Sequence, residues 1–375
     1  MKEHVDVIVV GGGVIGCSIA YQLAKNGVKV MVLERNKIGS EASSAAAGIL
    51  GAQAEIDEEG PLLEFALQSR SQFSELVEEL KEETGIDVEL IQKGVLKPAR
   101  SQQEAVLLRE KVKQHQRWDR DVTWLTQQEA VEQEERLSPF LAGAMYIPND
   151  GQLNPAKLTE ALALAASYHG AIINEYCDVR SLIYVENQIK GVITANQVIH
   201  SDKVIVTTGS WAKQLMGGLL PKCNVYPVKG ECISVTTRKK VIECTIFLDE
   251  GFYLVPKTGG RIVIGATKIP HSFNKDVSVH GVMHLLQKAK EIVPSIGEAV
   301  FERHWAGLRP QTADGLPYLG KHEEYERLYM AFGHYRNGIL LSAATGIFMA
   351  DLIQGRPVSP YFLEAFRANR HHIHT

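Results

Sequence analysis

The apolar positions of the first 34 residues change rhythm three times. Val5–Val10 is a nearly unbroken apolar run, the mark of a strand covered on both faces of a parallel sheet. Ile15–Lys25 then spaces its apolar residues at the helical period, Gly27 stops it, and Val28–Leu33 reads as a second buried strand. Residues 61–84 predict an amphipathic helix with Leu62, Phe65, Phe73, Leu76, Val77 and Leu80 as its buried stripe. Beyond Gly85 the pattern turns to short strands and exposed helices, "GVLKPA" and "EAVLLREKVKQHQ" among them. Thr126 followed by Glu129 is a capping-box signature. "AGAMYIPNDGQLNP" reads as a strand and turn, and Asn154–Pro155 supplies cap and first-turn proline to "AKLTEALALAASYHG".

"HGAIINEYCDV" and "SDKVIVTTGSWA" resume the strand–helix rhythm. Val204–Val206 is again a buried strand, and it runs into Thr-Thr-Gly at its C-terminal end, where doubly wound sheets bind ligands. Residues 222–303 hold alternating strands ("VYPVKGECISVTT", "TIFLDEGFYLVP", "GRIVIGATKI"), and a glycine-rich phase returns from 304. The expected architecture is therefore α/β, α+β overall. A discontinuous Rossmann-like domain takes residues 1–86, 152–221 and 304–375, and a β-rich second domain takes 87–151 and 222–303.

Composition narrows the partners. Forty Lys and Arg against 44 Asp and Glu give a net charge of −4 without a basic cluster, so neither nucleic acid nor an acidic membrane is expected as a partner. The run "ELVEELKEET" mixes signs and reads as a solvated helix face. Cys17, Cys177, Cys223, Cys232 and Cys244 are scattered with no metal-binding spacing, which predicts free thiols in a reducing compartment and no metal. The first strand starts at about Val5, leaving no room for a signal peptide. No run approaches the ~18 apolar residues of a membrane span, so a soluble cytoplasmic protein is expected.

Chemistry enters with Gly11-x-Gly13-x-x-Gly16, set between the first strand and the first helix. Gly11 permits the tight turn, Gly13 lets the backbone approach a pyrophosphate, and Gly16 brings the helix against the sheet. Glu34, 18 residues beyond Gly16, stands where a carboxylate can accept from ribose hydroxyls. An adenine dinucleotide is expected, and the fingerprint alone does not choose between NAD and FAD. The segment "GSEASSAAAGILGAQAE" offers small residues that suit a flat ring, or equally a flexible loop or tight helix packing. A second glycine-framed helix start, "GHYRNGILLSAATG", lies near the other end of the chain at 333–346. Gly333 and Gly338 would let its backbone come close to a ligand, while Ile339 and Leu340 begin the buried helix.

"VIVVGGGVIG", "SSAAAGILGA", "TTGSWA", "YPVKGE", "YLVPKTGGRIVIGAT", "WAGLRPQTADGLPYLG" and "GHYRNGILLSAATG" occur in an order that resembles the D-amino-acid oxidase family of flavoproteins over residues 6 to 346. The resemblance implies FAD and a p-hydroxybenzoate-hydroxylase-like pair of domains. It also implies oxidative deamination of glycine and small amines with dioxygen as acceptor, serving thiazole formation in thiamine synthesis, by a homo-oligomer such as a tetramer. Carried residue by residue, it sets FAD against Gly11, Gly13, Val14, Ile15, Gly16, Glu34 and Arg35, then against Ser43, Ser44, Ala46, Ala47 and Gly48. Val179, Thr208, Gly209 and Trp211 follow, with Gly333, Arg336, Asn337, Gly338, Ile339 and Leu340 at the far end. Neither the cysteine nor the histidine that links flavin in relatives is present at its position, so FAD is expected to be non-covalent.

A substrate carboxylate needs a planar cationic fork, which Arg309 can supply; the other reading is an arginine tying strands together. Tyr253 resembles the family tyrosine that donates to the same carboxylate, or is a core tyrosine. Arg336 either faces substrate and flavin or braces its loop. His334 is read as a hydrogen-bonded loop residue, since hydride transfer needs no general base. Ile49 and Lys268 replace methionines of relatives, Gly251 replaces a histidine, and Gly51 lies in the retained "AGILGA". These four residues are expected to shape the substrate pocket, admitting sarcosine and small D-amino acids beside glycine. The competing readings are a D-amino-acid dehydrogenase or sarcosine-oxidase-like enzyme of the same fold, a tRNA-modifying flavoprotein, which would need a basic face, and a non-catalytic FAD scaffold.

Overall fold

A computed structural model describes residues 5–219 and 224–370; Cys223 and the expected domain boundary at 221/222 lie outside them. Two large sheets organise the chain. In the first, the strand order is Tyr318–Lys321, Leu328–Phe332, Val198–Val206, Val5–Val10, Val30–Leu33, Ile172–Asn174. All neighbours run parallel except the Tyr318–Lys321 edge. The central position of Val5–Val10 explains its composition, because both faces of a strand there are covered. The second strand is shorter than its apolar run, starting at Val30 rather than Val28.

One face of this sheet carries the helices Val14–Lys25, Pro61–Thr84, Pro155–Tyr168 and Gly338–Gln354, whose apolar residues merge into one core. Pro61–Thr84 has the expected bounds and ends at Gly85. Its buried stripe takes in Leu63 rather than Leu62, which is only half-buried, and adds Ala66 and Ser69. Docking against the other helices, and not the local pattern, fixes which of two adjacent leucines turns inward. The Thr126–Glu129 capping box and the Asn154 cap are both formed.

The second sheet runs Ile269–Pro270, Val225–Thr236, Arg261–Gly265, Tyr253–Pro256, Thr245–Phe247, Val95–Ala99, Gly143–Ile147, Thr123–Leu125. Helix Val279–Ile292 closes one face through Leu285, Ala289 and Ile292. The free edge of Val225–Thr236 is taken by Val300–Thr312, paired antiparallel over its length. The boundary expected at 304 falls inside this strand. It stays with the second sheet to Thr312, and the chain then enters the first sheet at Tyr318. Among the described residues no helix is long and apolar enough to cross a membrane.

Candidate active site

A cavity of about 360 Å³ opens where the parallel strands of the first sheet end, and the second sheet forms its far wall. At one end lie Gly11, Gly13, Val14, Ile15, Glu34 and Arg35. Gly11 has φ of +110°, a conformation natural only to glycine, and Gly13 stands as the N-cap of the first helix. Gly16 lines nothing; a Cβ there would strike the Gly11 carbonyl and come within 2.7 Å of Thr207 Oγ1. Its role is close packing of helix on sheet. Ser43 Oγ accepts from Val14 N–H at 2.9 Å, which sets a hydroxyl at the same helix start.

Glu34 spends part of its carboxylate on the backbone. Oε2 accepts from Gly12 N–H and Oε1 from Asn36 N–H, each at 2.8 Å, leaving lone pairs toward the cavity. The Arg35 guanidinium stacks over the Trp211 ring with 3.9 Å to its centroid. Val179, Thr208, Gly209 and Trp211 complete this end. Thr207, the first residue of the Thr-Thr-Gly stretch, donates Oγ1–H toward the carbonyls of Val10 and Gly11, both at 2.8 Å.

The middle is walled by Ala46, Ala47, Gly48 and Ile49 on one side and Gly307–Pro310 on the other. A Cβ on Gly307 would sit 2.7 Å from Ala45 Cβ, and Trp305 Nε1 donates to the Ala45 carbonyl at 2.9 Å, so the small residues keep this wall thin. Ser44 faces away and donates to the Gly39 carbonyl at 2.6 Å. At the far end Gly333, Arg336, Gly338 and Ile339 line the cavity. Asn337 and Leu340 do not: Asn337 precedes the helix and accepts from Leu341 N–H, and Leu340 is buried in the core.

Here the substrate candidates meet. Arg309 lies flat on Gly230, where a Cβ would be within 2.6 Å of Cζ and Nη1. Its Nη1 donates to the Thr267 carbonyl at 3.2 Å, and among the described residues no carboxylate pairs with it. Tyr253 is buried against Cys232, whose Sγ lies 3.3 Å from its hydroxyl. Both residues register with Gly265, one on each side, so the missing side chain there lets the phenol reach across. Burial pushes the Tyr253 hydroxyl well above its ordinary range, keeping it a neutral donor. Ile49 lines the cavity, and a Cβ on Gly51 would sit 3.1 Å from Ile49 Cγ2. Gly251 and Lys268 flank the mouth without lining it; a Cβ on Gly251 would sit 3.0 Å from both Lys268 Cε and Arg336 Cζ. Partial desolvation, then repulsion from Arg336 and Arg309, lowers the Lys268 ammonium below its usual range.

Sequence reading also passed over Glu55. Its Oε2 pairs with Arg336 Nε at 2.9 Å, both side chains mostly buried. Burial raises the Glu55 carboxyl, and Arg336 and Arg309 pull it back. His334 is 4% exposed, its Nε2 lies 3.2 Å from Thr345 Oγ1, and burial lowers its pKa to about 3; it stays neutral and points away from proton chemistry.

An extended dinucleotide carrying a flat redox ring fits this arrangement. Thr208 Oγ1 and Arg336 Nη2 are buried without partners, small residues including Ala46, Ala47, Gly48 and Gly307 line the middle, and both ends present a helix start. The comparisons with known proteins agree. A glycine oxidase of Geobacillus kaustophilus is 44% identical over 374 residues, covering 99% of this chain and 98% of that one. A crystal structure of glycine oxidase from Geobacillus kaustophilus superposes with a TM-score of 0.95 at 44% identity, covering 99% and 100% of the two chains. The bifunctional protein ThiO/ThiG of Synechocystis is 33% identical over 99% of this chain, which spans 54% of that protein. The model for the FAD dependent oxidoreductases matches residues 6–352, and the chain belongs to that family.

Proposed function

We propose that this chain oxidises glycine, and with it small amines such as sarcosine and D-alanine, to the imine. Water then releases the 2-oxo acid. For glycine the balance is glycine + O2 + H2O giving glyoxylate, ammonia and hydrogen peroxide. The observation that carries the reading is Arg309, a cation facing the cavity with no carboxylate partner among the described residues and with its fork held flat on Gly230. A substrate carboxylate supplies the missing charge and can be gripped by two parallel bonds.

FAD, held by the residues described above, would supply the redox chemistry, a two-electron oxidation of the substrate carbon with dioxygen as final acceptor. The residues do the rest. Arg309 binds the carboxylate, and the neutral Tyr253 hydroxyl donates to it. Ile49 limits the space beside the reacting carbon, which favours substrates with little or no side chain. The Glu55–Arg336 pair gives the amine end a dry, nearly neutral wall, which favours the uncharged amine. No buried histidine or lysine is needed as a base, in keeping with the depressed His334. The likeness to ThiO/ThiG supports a role in supplying the imine for thiamine thiazole formation, and we assign the chain to the cytoplasm as a homo-oligomer, a tetramer in the fullest form of this reading.

The test is an anaerobic titration of the purified yellow protein with glycine, sarcosine, D-alanine and D-proline, followed by oxygen and peroxide measurement in air. Bleaching by glycine and one peroxide per glycine are expected. Flavin that none of these amines can bleach would overturn the reading. Dye reduction without peroxide would turn it into a dehydrogenase.

A further inference from the structure

The Glu55–Arg336 pair depends on a short helix, Ala52–Glu55, that cannot hold its own position. Four residues give it one turn, and its first amides have no intrahelical acceptors. Its N-cap is Gly51, which has no side chain to supply one. The acceptors come from Asp150, a residue about a hundred positions away. Oδ1 accepts from Ala52 N–H at 3.0 Å, and Oδ2 accepts from Gln53 N–H at 3.2 Å and Ala54 N–H at 2.8 Å. Asp150 is completely buried and lines no part of the cavity.

A buried carboxylate needs a counter-charge, and Arg70 provides it. Its Nη1 donates to Asp150 Oδ1 at 2.6 Å and to Gln53 Oε1 at 3.0 Å. Arg70 projects from the long helix Pro61–Thr84, which packs on the core of the first sheet. The strand before the short helix, Ile49–Leu50, pairs with Gly151–Gln152, directly after Asp150. Strand and helix on either side of Gly51 are thus both fixed by one stretch, Asp150–Gln152.

We propose that Asp150, backed by Arg70, is a positioning residue for the substrate end of the cavity. It clamps the Ala52–Glu55 helix, the helix places the Glu55 carboxylate, and Glu55 holds the Arg336 guanidinium over the pocket. This rests on the substrate reading above, and it adds a requirement that the reading alone lacks. The catalytic geometry at Arg336 is set by a buried ion pair that touches neither substrate nor flavin.

Because the link runs through Glu55, the effects of cutting it at two points are non-additive. The experiment is a double-mutant cycle of Asp150→Asn and Glu55→Gln on the FAD-loaded protein. It reads glycine KM and kcat, FAD retention, and the Kd of acetate from the flavin spectrum. Acetate carries the carboxylate of glycine without its amine, so its Kd reports the Arg309 grip and is the control for the Arg336 side. Asp150→Asn is expected to raise glycine KM about tenfold, the size of one lost charged hydrogen bond, with acetate Kd and FAD Kd each changed less than about twofold. In the Glu55→Gln background the same substitution is expected to change glycine KM by less than about twofold. Equal losses in the two backgrounds, or a parallel loss of FAD, would make Asp150 a general support and overturn the proposal. If Asp150→Asn does not yield folded protein, Arg70→Lys takes its place in the cycle. It keeps the buried charge but not the fork that also reaches Gln53 and Asp119, and the same two results support or overturn the proposal. A chain that no small amine can reduce would show as unbleached flavin in the unmutated protein, and the Kd of glycine read from the flavin spectrum across the same cycle would then decide the positioning claim.

Discussion

Replacing Arg309 by lysine separates the shape of the charge from the charge itself. The guanidinium is pressed onto Gly230 and anchored by the Thr267 carbonyl at 3.2 Å, so its plane is fixed before substrate arrives. A lysine ammonium keeps the cation but presents a point charge on a flexible stem, and cannot make two parallel bonds to one carboxylate. The loss is one charge-assisted hydrogen bond, about 1.5–3 kcal/mol, which is about 10- to 150-fold in kcat/KM at 1.4 kcal/mol per tenfold. Alanine removes the charge as well, and the ~2–5 kcal/mol of a broken buried charge pair becomes about 30- to 4,000-fold. Most of each loss is expected in KM, since the carboxylate is bound alike in ground and transition states. Steady-state oxygen consumption with glycine gives kcat and KM, and FAD fluorescence gives cofactor retention, expected unchanged. A kcat/KM within threefold of the parent for Arg309→Lys, or a yellow protein turned colourless by it, would refute the assignment.

Gly230→Ala is expected to leave the fold intact, because its Cβ meets only the movable end of Arg309, yet to raise glycine KM; an unchanged KM counts against the seat described for the guanidinium. Glu34→Ala should raise FAD Kd about 5- to 150-fold, from ~1–3 kcal/mol of lost bonding, with kcat at saturating FAD nearly unchanged; the reverse split would move Glu34 out of the cofactor site. Acid precipitation should release all flavin into the supernatant, since burial raises the thiols of Cys177 and Cys232 on the cavity wall and leaves them poor nucleophiles; yellow pellets would mean a covalent link. His334 titrates near 3 when folded and near 6.5 when unfolded, so the unfolded chain binds the extra proton between those values. Stability from this group is complete above pH ~6.5 and falls as pH drops, by ~2 kcal/mol at pH 5; urea unfolding at pH 7 and 5 should show that fall, and His334→Asn should flatten it.

What the sequence made legible was local. The first strand–glycine–helix unit, the caps at Thr126 and Asn154 and the long helix 61–84 are each set by neighbours within a few residues, and each folds as the pattern predicts. The late helix start was legible for the same reason. What stayed hidden depends on partners far along the chain. Glu55 stood in view as the end of a small-residue segment, but its meaning lies in Arg336, 281 positions away. Gly230 is one glycine in a strand until Arg309 is laid on it by the pairing of Val228 with Arg309 across two strands. Asp150 sits in a turn, where aspartate is common for local reasons, and its three amide partners come from another segment. The Val300–Thr312 strand hid its allegiance because its local sequence does not name the strand it pairs with.

The two glycine-framed helix starts turn out to belong to one rigid body. Helix Gly338–Gln354 lies against helix Val14–Lys25 so closely that a Cβ on Gly346 would strike Ser18, and Ser18 Oγ donates to the Ser342 carbonyl at 2.8 Å. Ser69, from the long helix, braces the other side: its Oγ donates to the Leu340 carbonyl at 2.6 Å and accepts from Ala344 N–H at 3.0 Å. The helix therefore cannot slide or rotate without breaking buried hydrogen bonds, and its free N-terminal amides keep a fixed aim into the cavity. A fixed dipole stabilises charge at no reorganisation cost, and its positive end favours an anion, which suits the proposed placing of the FAD pyrophosphate at the first helix and of the flavin at the last. Arg309 and Tyr253 stand on the second sheet instead. In the proposed reading the carboxylate residues stand on the second sheet and Glu34 follows a strand of the first, so loss of FAD and loss of substrate affinity are expected to separate between the Glu34 and Arg309 variants.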